Sequence, residues 1–435
     1  MRIDMLGQPQ DRPIVTRVKN GVAEVVRVRR QAARRRAAEL RRRIADYLAA
    51  APQVPTGFGC QEEIAANRER ILKLLGGTPA NWQDWKWQLR HRITDVGLLQ
   101  EILGLTPEEA QEIRRVGRRF RWAISPYYAS LMGVGDPNCP IRRQAVPDPR
   151  ELEGGGEDDP MAEEWTSPAP GITRRYPDRV IINVTNRCAS FCRHCQRRRN
   201  IGEVDRHLSP TELAQALEYI RAHPEIRDVL ITGGDALLLS DSRLEWLLSQ
   251  LDAIGHVEIK RLGTRVPVTL PQRVTPRLCA ILERHPPIYL NTQFNHPKEV
   301  TPEAKAACDR LVRAGVVLGN QAVLLRGVND HPFVMRKLHQ ELLRIRVRPY
   351  YLFHAKPVTG TRHFVTRVEE GLAIMEALRG YTSGLAVPTY VLNVPGGYGK
   401  VPLTPNYLLE LNSRGVVVRT WEGRIVRCPN GPVEA

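Results

Sequence analysis

Between residues 173 and 386 two hydrophobic patterns alternate. Short apolar, β-branched runs recur at 180–184, 229–232, 259–263, 288–293, 316–323 and 349–353. Each precedes a stretch with apolar residues at helical spacing, at 210–222, 242–254, 276–283, 302–314, 332–345 and 368–379. The runs fit strands buried on both faces, and the longer stretches fit helices with one apolar stripe. Ser209-Pro210, Thr275-Pro276 and Thr301-Pro302 mark helix starts. A hydroxyl there accepts a free amide hydrogen of the first turn, and proline at the first helical position sacrifices no bond. After the first unit the strands return about every thirty residues, the length of a parallel βα unit. The predicted fold is α/β, an incomplete (β/α)6 barrel, with its active site at the carboxyl ends of the strands.

The flanking regions read differently. Residues 1–124 predict a helical region, with a long charged helix at 17–50 and others at 61–75, 96–103 and 107–116. The first of these fits a solvated face or an oligomer contact better than an RNA-binding arm. Trp82 and Trp85, followed by Trp87, would share a helix face as core or interface anchors. Residues 125–172, rich in proline, glycine and acid, read as a connecting segment around a loose turn at 154–159. Residues 387–435 form a short C-terminal segment with a Gly-rich loop and a hairpin-like end.

The formal charge of +17 raises the question of nucleic acid. The excess comes from 55 arginines against nine lysines, spread along the whole chain, and aromatics make up only 6%. A nucleic-acid groove would concentrate its charge and interleave it with aromatics, so the bias reads as compositional. Eight cysteines in 435 residues do not make a disulfide framework; Cys60, Cys139, Cys279, Cys308 and Cys428 read as small buried residues. No apolar run reaches the length of a membrane helix and no signal-peptide pattern opens the chain. A cytoplasmic protein is expected.

The other three cysteines, Cys188, Cys192 and Cys195, lie in C-x3-C-x2-C directly after the first predicted strand. Three thiolates can hold a four-iron cluster and leave one iron open for a ligand. A zinc site completed by His194, or unligated cysteines, are the alternatives. In Pro395-Gly396-Gly397-Tyr398-Gly399-Lys400, the glycines give a lysine amine room to approach a planar ligand. An amine in a site with little water can lose its proton and condense with a carbonyl. A phosphate-binding turn or a plain surface loop has the same composition.

The cysteine spacing, with His194 where an aromatic residue usually precedes the last cysteine, resembles the radical S-adenosylmethionine (SAM) superfamily. C-R-H-C-x-R-R-R, D-P-N-x-P-I-R at 136–142 and P-G-G-x-G-K at 395–400 resemble, more narrowly, the lysine 2,3-aminomutase family. The resemblance covers roughly residues 85–410. It implies a [4Fe-4S] cluster on Cys188, Cys192 and Cys195, SAM, and pyridoxal 5'-phosphate (PLP) on Lys400. It further implies that Arg175 and Arg179 hold the PLP phosphate, that Gly233, Gly234 and Asp235 meet the methionine end of SAM, and that Gln321 lies near its nucleoside. Arg197 matches the residue that pairs with the substrate α-carboxylate.

Three departures change the expected substrate. Lys356 and Asn393 stand where lysine-acting members are expected to hold the substrate ammonium with two aspartates. A cation at the first position repels an ammonium and attracts a carboxylate, and an amide at the second can donate to it. Gln293 replaces a histidine and puts one cofactor contact in doubt. The cysteine-rich end that carries zinc in that family has one counterpart here, Cys428. The implied reaction moves the amino group of L-glutamate from C2 to C3, giving β-glutamate, with a low-potential electron donor and in a homo-oligomer. Lysine or another amino acid as substrate, and modification of a protein lysine or a tRNA, are the other readings.

Overall fold

A computed structural model describes residues 22–413 and 415–430 of the chain. Nine strands form one sheet in sequence order. They are β1 (Ile172–Tyr176), β2 (Arg179–Thr185), β3 (Asp228–Gly233), β4 (Ile259–Gly263), β5 (Ile288–Thr292), β6 (Val317–Leu324), β7 (Arg348–His354), β8 (Thr389–Asn393) and β9 (Lys400–Pro402). Strands β2 to β8 run parallel, while β1 and β9 add antiparallel edges. The sheet curls as an open partial barrel. A separate antiparallel sheet of β10 (Leu408–Asn412), β11 (Gly415–Arg419) and β12 (Ile425–Cys428) follows.

The two-residue period of a strand sorts side chains between the layers. On β2, Val180, Ile182 and Val184 are buried against the helices, whereas Ile181 and Asn183 face the barrel interior. The helices Pro210–Arg221, Asp241–Asp252, Pro276–Glu283, Pro302–Arg313, Pro332–Arg344 and Val368–Leu378 fall on the predicted stretches. Their start signals work as expected: the Ser209, Thr275 and Thr301 side chains accept from the amides of Glu212, Leu278 and Ala304. Apolar stripes such as Leu244, Leu247, Leu248 and Leu251 complete the core. Among the described residues no helix is long and apolar enough to cross a membrane.

The structure departs from expectation in five places. The parallel set has a seventh strand, β8, because residues assigned to the C-terminal segment continue the sheet beside β7. The connecting segment contains helices at Pro126–Ser130 and Pro140–Ala145 and a turn at Pro149–Leu152, with Tyr127, Tyr128, Met132 and Ile141 fully buried. The long N-terminal helix is seen as Val22–Arg43 and Ala45–Ala50, interrupted at Ile44, and its predicted start at 17–21 lies outside the described residues. Cys139, Cys279 and Cys308 are buried, but Cys60 is half-buried and Cys428 exposed.

The tryptophans share no continuous helix either. Asp84 takes an extended conformation, ends one helix and caps the next by accepting from the Lys86 amide. The break turns Trp82 and Trp87 into the core and leaves Trp85 at its margin, under the guanidinium of Arg273. Trp82→Ala should therefore destabilise the protein by about 3–5 kcal/mol, the cost of an aromatic deleted from a packed core. Trp85→Ala should cost clearly less. Chemical denaturation of both variants checks this, and equal losses would contradict the placement.

Candidate active site

The cysteine loop leaves the carboxyl end of β2 and is fixed from behind by residues far away in sequence. Glu151, in the turn Pro149–Leu152, is completely enclosed. It accepts from Arg193 Nε at 2.8 Å, from Arg193 Nη2, and from Arg198 Nη2. The two arginines flank Cys195, so one carboxylate clamps both sides of the last cysteine. Burial works against charge on Glu151, but Arg193 and Arg198 hold its carboxyl below the usual range. Arg193 N also donates to Gln144 O (2.8 Å), Phe191 N to Ala123 O (2.9 Å), and Arg92 Nη1 to Cys188 O (2.8 Å).

All three cysteines line one cavity of about 900 Å³. Burial pushes the Cys188 thiol well above its ordinary pKa and that of Cys195 to about 11. Thiols so placed suit a resident cation, whose charge stabilises the thiolates that the protein alone does not. Among the described residues no three Cys, His, Asp or Glu side chains converge as ligands of a single ion. A four-iron cluster asks for less convergence, because each thiolate meets its own iron. His194, the fourth ligand of the zinc alternative, is half-buried with Nε2 3.4 Å from the Asn295 amide nitrogen.

Gly233 and Gly234 end β3 against this loop. A Cβ on Gly233, whose φ is +122°, would lie 2.4 Å from Thr185 O, and one on Gly234 would lie 2.5 Å from Arg187 O. Only glycine permits that approach of two backbones. The Asp235 carboxylate is occupied by the Thr264 hydroxyl, Arg265 N (2.9 Å) and Leu237 N (3.2 Å), and burial raises its pKa. What the turn offers the cavity is thus mainly backbone.

The opposite wall is cationic. Arg175, Arg179, Arg197, Lys356 and Lys400 all line the same cavity, as do Gln293, Gln321 and Asn393. Lys400 stands at the start of β9, opposite Asn393 of β8, and Tyr176 Oη accepts from its backbone amide at 3.0 Å. Although Lys400 keeps surface open to the cavity, the surrounding protein and then Arg179, Arg261, Arg175 and Arg197 push its pKa down to about 8. Burial, with Arg197 and Lys400 nearby, brings Lys356 to about 7. Its Nζ donates to Gln196 Oε1. Two buried donors, Arg175 Nε and Asn393 Nδ2, find no acceptor among the described residues. Such orphans in a cavity fit anionic ligands.

The structure brings every site residue named from the sequence to this one cavity, but the sequence reading missed the acid among them. Glu163 accepts from Arg175 Nη2 and Arg197 Nη2, both at 2.9 Å, and from Arg197 Nε at 3.1 Å. Burial disfavours its charge, yet Arg197 and Arg175 hold its carboxyl below the usual range. Its signal was present: an acidic stretch at 157–164 in a chain of charge +17. Arg193 and Arg198 prove to be partners of Glu151, and Arg199 pairs with Asp159 at 3.0 Å.

A parallel partial barrel with C-x3-C-x2-C after its first parallel strand defines a radical SAM enzyme, and residues 182–335 match the model of the Radical SAM superfamily. Residues 375–432 match the model described as Lysine-2,3-aminomutase. The chain is 55% identical over 398 residues to a glutamate 2,3-aminomutase of Clostridioides difficile, covering 91% of this chain and 94% of that one. It is 50% identical over 347 residues to an L-lysine 2,3-aminomutase of Acetoanaerobium sticklandii (79% and 84% covered), and 49% over 348 residues to one of Clostridium subterminale (80% and 84%). The chain belongs to the lysine 2,3-aminomutase family. It is an isomerase that uses a [4Fe-4S] cluster, SAM and PLP.

The Glu151 clamp gives a direct test. Glu151→Ala leaves two buried guanidinium groups without their partner, which costs about 3–5 kcal/mol. The denaturation midpoint should fall accordingly, and anaerobic reconstitution should incorporate less iron per chain. Unchanged stability and iron content would show that the loop is held by other means.

Proposed function

We propose that this enzyme converts L-glutamate to β-glutamate by moving the amino group from C2 to C3. The observation that carries the reading is the pair Lys356 and Asn393, two hydrogen-bond donors on the cationic wall where a lysine substrate would need acceptors. Identity alone does not choose, since the relatives named for glutamate and for lysine stand at 55% and 50%.

In this reading Arg197 takes the α-carboxylate with its planar fork, and Lys356 Nζ and Asn393 Nδ2 take the side-chain carboxylate. Arg175 and Arg179 hold the PLP phosphate, Lys400 carries the cofactor, and Asn393 lies beside it across the β8–β9 pair. Cys188, Cys192 and Cys195 hold the cluster, while the backbone of Gly233 and Gly234, with Asp235 behind them, and Gln321 border the SAM site. The bound cofactors supply abstraction of an unactivated hydrogen and a conjugated carrier for the migrating nitrogen, neither of which a side chain offers. The chain's own part is to fix both ends of a dianion, so that C3 stays aligned, and to keep water from the reacting centre. A substrate ammonium beside Lys356, Arg197 and Lys400 would be repelled.

The enzyme acts on the free amino acid and needs an external low-potential electron donor. A reducible cluster supports a cytoplasmic setting. The edge strand β10, with Leu408, Leu409 and Leu411 exposed, supports a homo-oligomer.

Lys356→Ala should lower kcat/KM for glutamate by about one hundred- to one thousandfold, the effect of removing one partner of a shielded charge pair. Asn393→Ala should cost about tenfold, since it removes a neutral donor. Unchanged glutamate kinetics in Lys356→Ala would sink the substrate assignment.

In the protein without PLP or substrate, burial with Arg197 and Lys400 nearby lowers the Lys356 pKa to about 7, and the phosphate of bound PLP raises it again. The contact with the side-chain carboxylate is therefore complete at low pH, and kcat/KM should fall as pH rises through the Lys356 pKa of the holoenzyme. Lys356→Arg, charged throughout, should remove that inflection; a profile unaffected by the change would contradict the role.

Borohydride reduction of the resting holoenzyme should fix PLP on Lys400, as read by peptide mass, and Lys400→Ala should retain no covalent cofactor. Trapping on another lysine would overturn the assignment.

A further inference from the structure

Arg265 immediately follows the short link after β4 and is buried. Its guanidinium reaches Cys192 from behind the cysteine loop, Nη1 donating to Sγ at 2.8 Å. The other nitrogens leave it little freedom. Nη2 meets Glu299 Oε1 and Gln144 Oε1, both at 2.6 Å, and Tyr128 Oη at 2.9 Å, while Nε donates to Gln293 O at 3.1 Å. Glu299 is itself completely enclosed. It accepts from the Tyr128 hydroxyl at 2.7 Å and from the amides of Asn295 and His296 at 2.5 and 2.9 Å. A permanent cation is thus held against the Cys192 sulfur by the Pro140–Ala145 helix, the Pro126–Ser130 helix and the loop after β5.

We propose that Arg265 sets the reduction potential of the cluster through its charged hydrogen bond to Cys192, and that Glu299 limits the effect by neutralising part of the guanidinium charge. The inference rests on Cys192 being a cluster ligand. Reduction adds one electron to the cluster, so a fixed cation and a hydrogen bond at a ligating sulfur stabilise the reduced form more than the oxidised one. The surroundings screen poorly, which enlarges the influence of a charge this close. Gln144, two residues beyond the D-P-N-x-P-I-R motif at 136–142, steadies the arginine that contacts Cys192.

The test uses anaerobically reconstituted holoprotein without SAM, poised with redox mediators, reading the paramagnetic signal of the reduced cluster. Arg265→Gln should lower the ratio of reduced to oxidised cluster at a fixed potential by about tenfold, equivalent to 59 mV for a one-electron couple. Glu299→Gln should shift it in the opposite direction, and Arg265→Lys should fall between the native protein and Arg265→Gln. Opposite signs from two contacting residues are not produced by general loosening of the site. If Arg265→Gln does not retain its cluster, Arg265→Lys and Glu299→Gln still decide by their signs. An unchanged potential in the arginine variants at full iron content, or a shift of the same sign in Glu299→Gln, overturns the proposal. A native protein that binds no reducible iron overturns the cysteine assignment beneath it, a separate outcome.

Discussion

Like charges confined in one cavity repel unless anions join them, and this constraint organises the site. Arg175, Arg179, Arg197, Lys356 and Lys400 face a common space. Glu163 bridges Arg175 and Arg197, and Asp178 lies 3.9 Å from Arg179, but two carboxylates do not balance five cations. Burial and then the neighbouring cations lower the pKa values of Lys356 and Lys400 to about 7 and 8. Ligands bearing a phosphate and two carboxylates relieve the repulsion, so cofactor and substrate binding are favoured by the electrostatics that the free protein leaves unsatisfied.

The fold makes that crowding tolerable by attaching each cation to a rigid element. Arg175 and Arg179 belong to β1 and β2, Lys356 follows β7, and Asn393 and Lys400 face each other across β8 and β9. Arg197 sits on the cysteine loop, which Glu151 clamps through Arg193 and Arg198. The same segment, residues 125–172, supplies Glu151, Glu163, Gln144 and Tyr128. It therefore touches the cationic wall and the cysteine loop of the cavity together.

The barrel was legible because it rests on local signals. Strand composition, helical spacing and the caps at Ser209, Thr275 and Thr301 act within a few residues of one another, and the structure keeps them. Segment 125–172 was not legible, because proline, glycine and acid read as loop while its burial depends on partners elsewhere: Glu151 meets Arg193 and Gln144 meets Arg265 only after the barrel has closed. Helical spacing at the tryptophans gave no warning that Asp84 would cap rather than continue. Strand β8 was masked by the Gly-rich motif beside it. The site residues were named through motifs, whereas Glu163 and Arg265 belong to no motif and emerged from the charges they face.

A site built on unbalanced positive charge should choose its substrate by charge, and a competition experiment measures this directly. Reconstituted, reduced holoenzyme would be given equal concentrations of L-glutamate and L-lysine, and the α and β isomers of each resolved as they form. The account predicts that β-glutamate accumulates at least about one hundredfold faster than β-lysine, the ratio expected when a cation in the cavity replaces the carboxylates an ammonium needs. Comparable rates, or a preference for lysine, would contradict it while leaving the radical chemistry of the family intact.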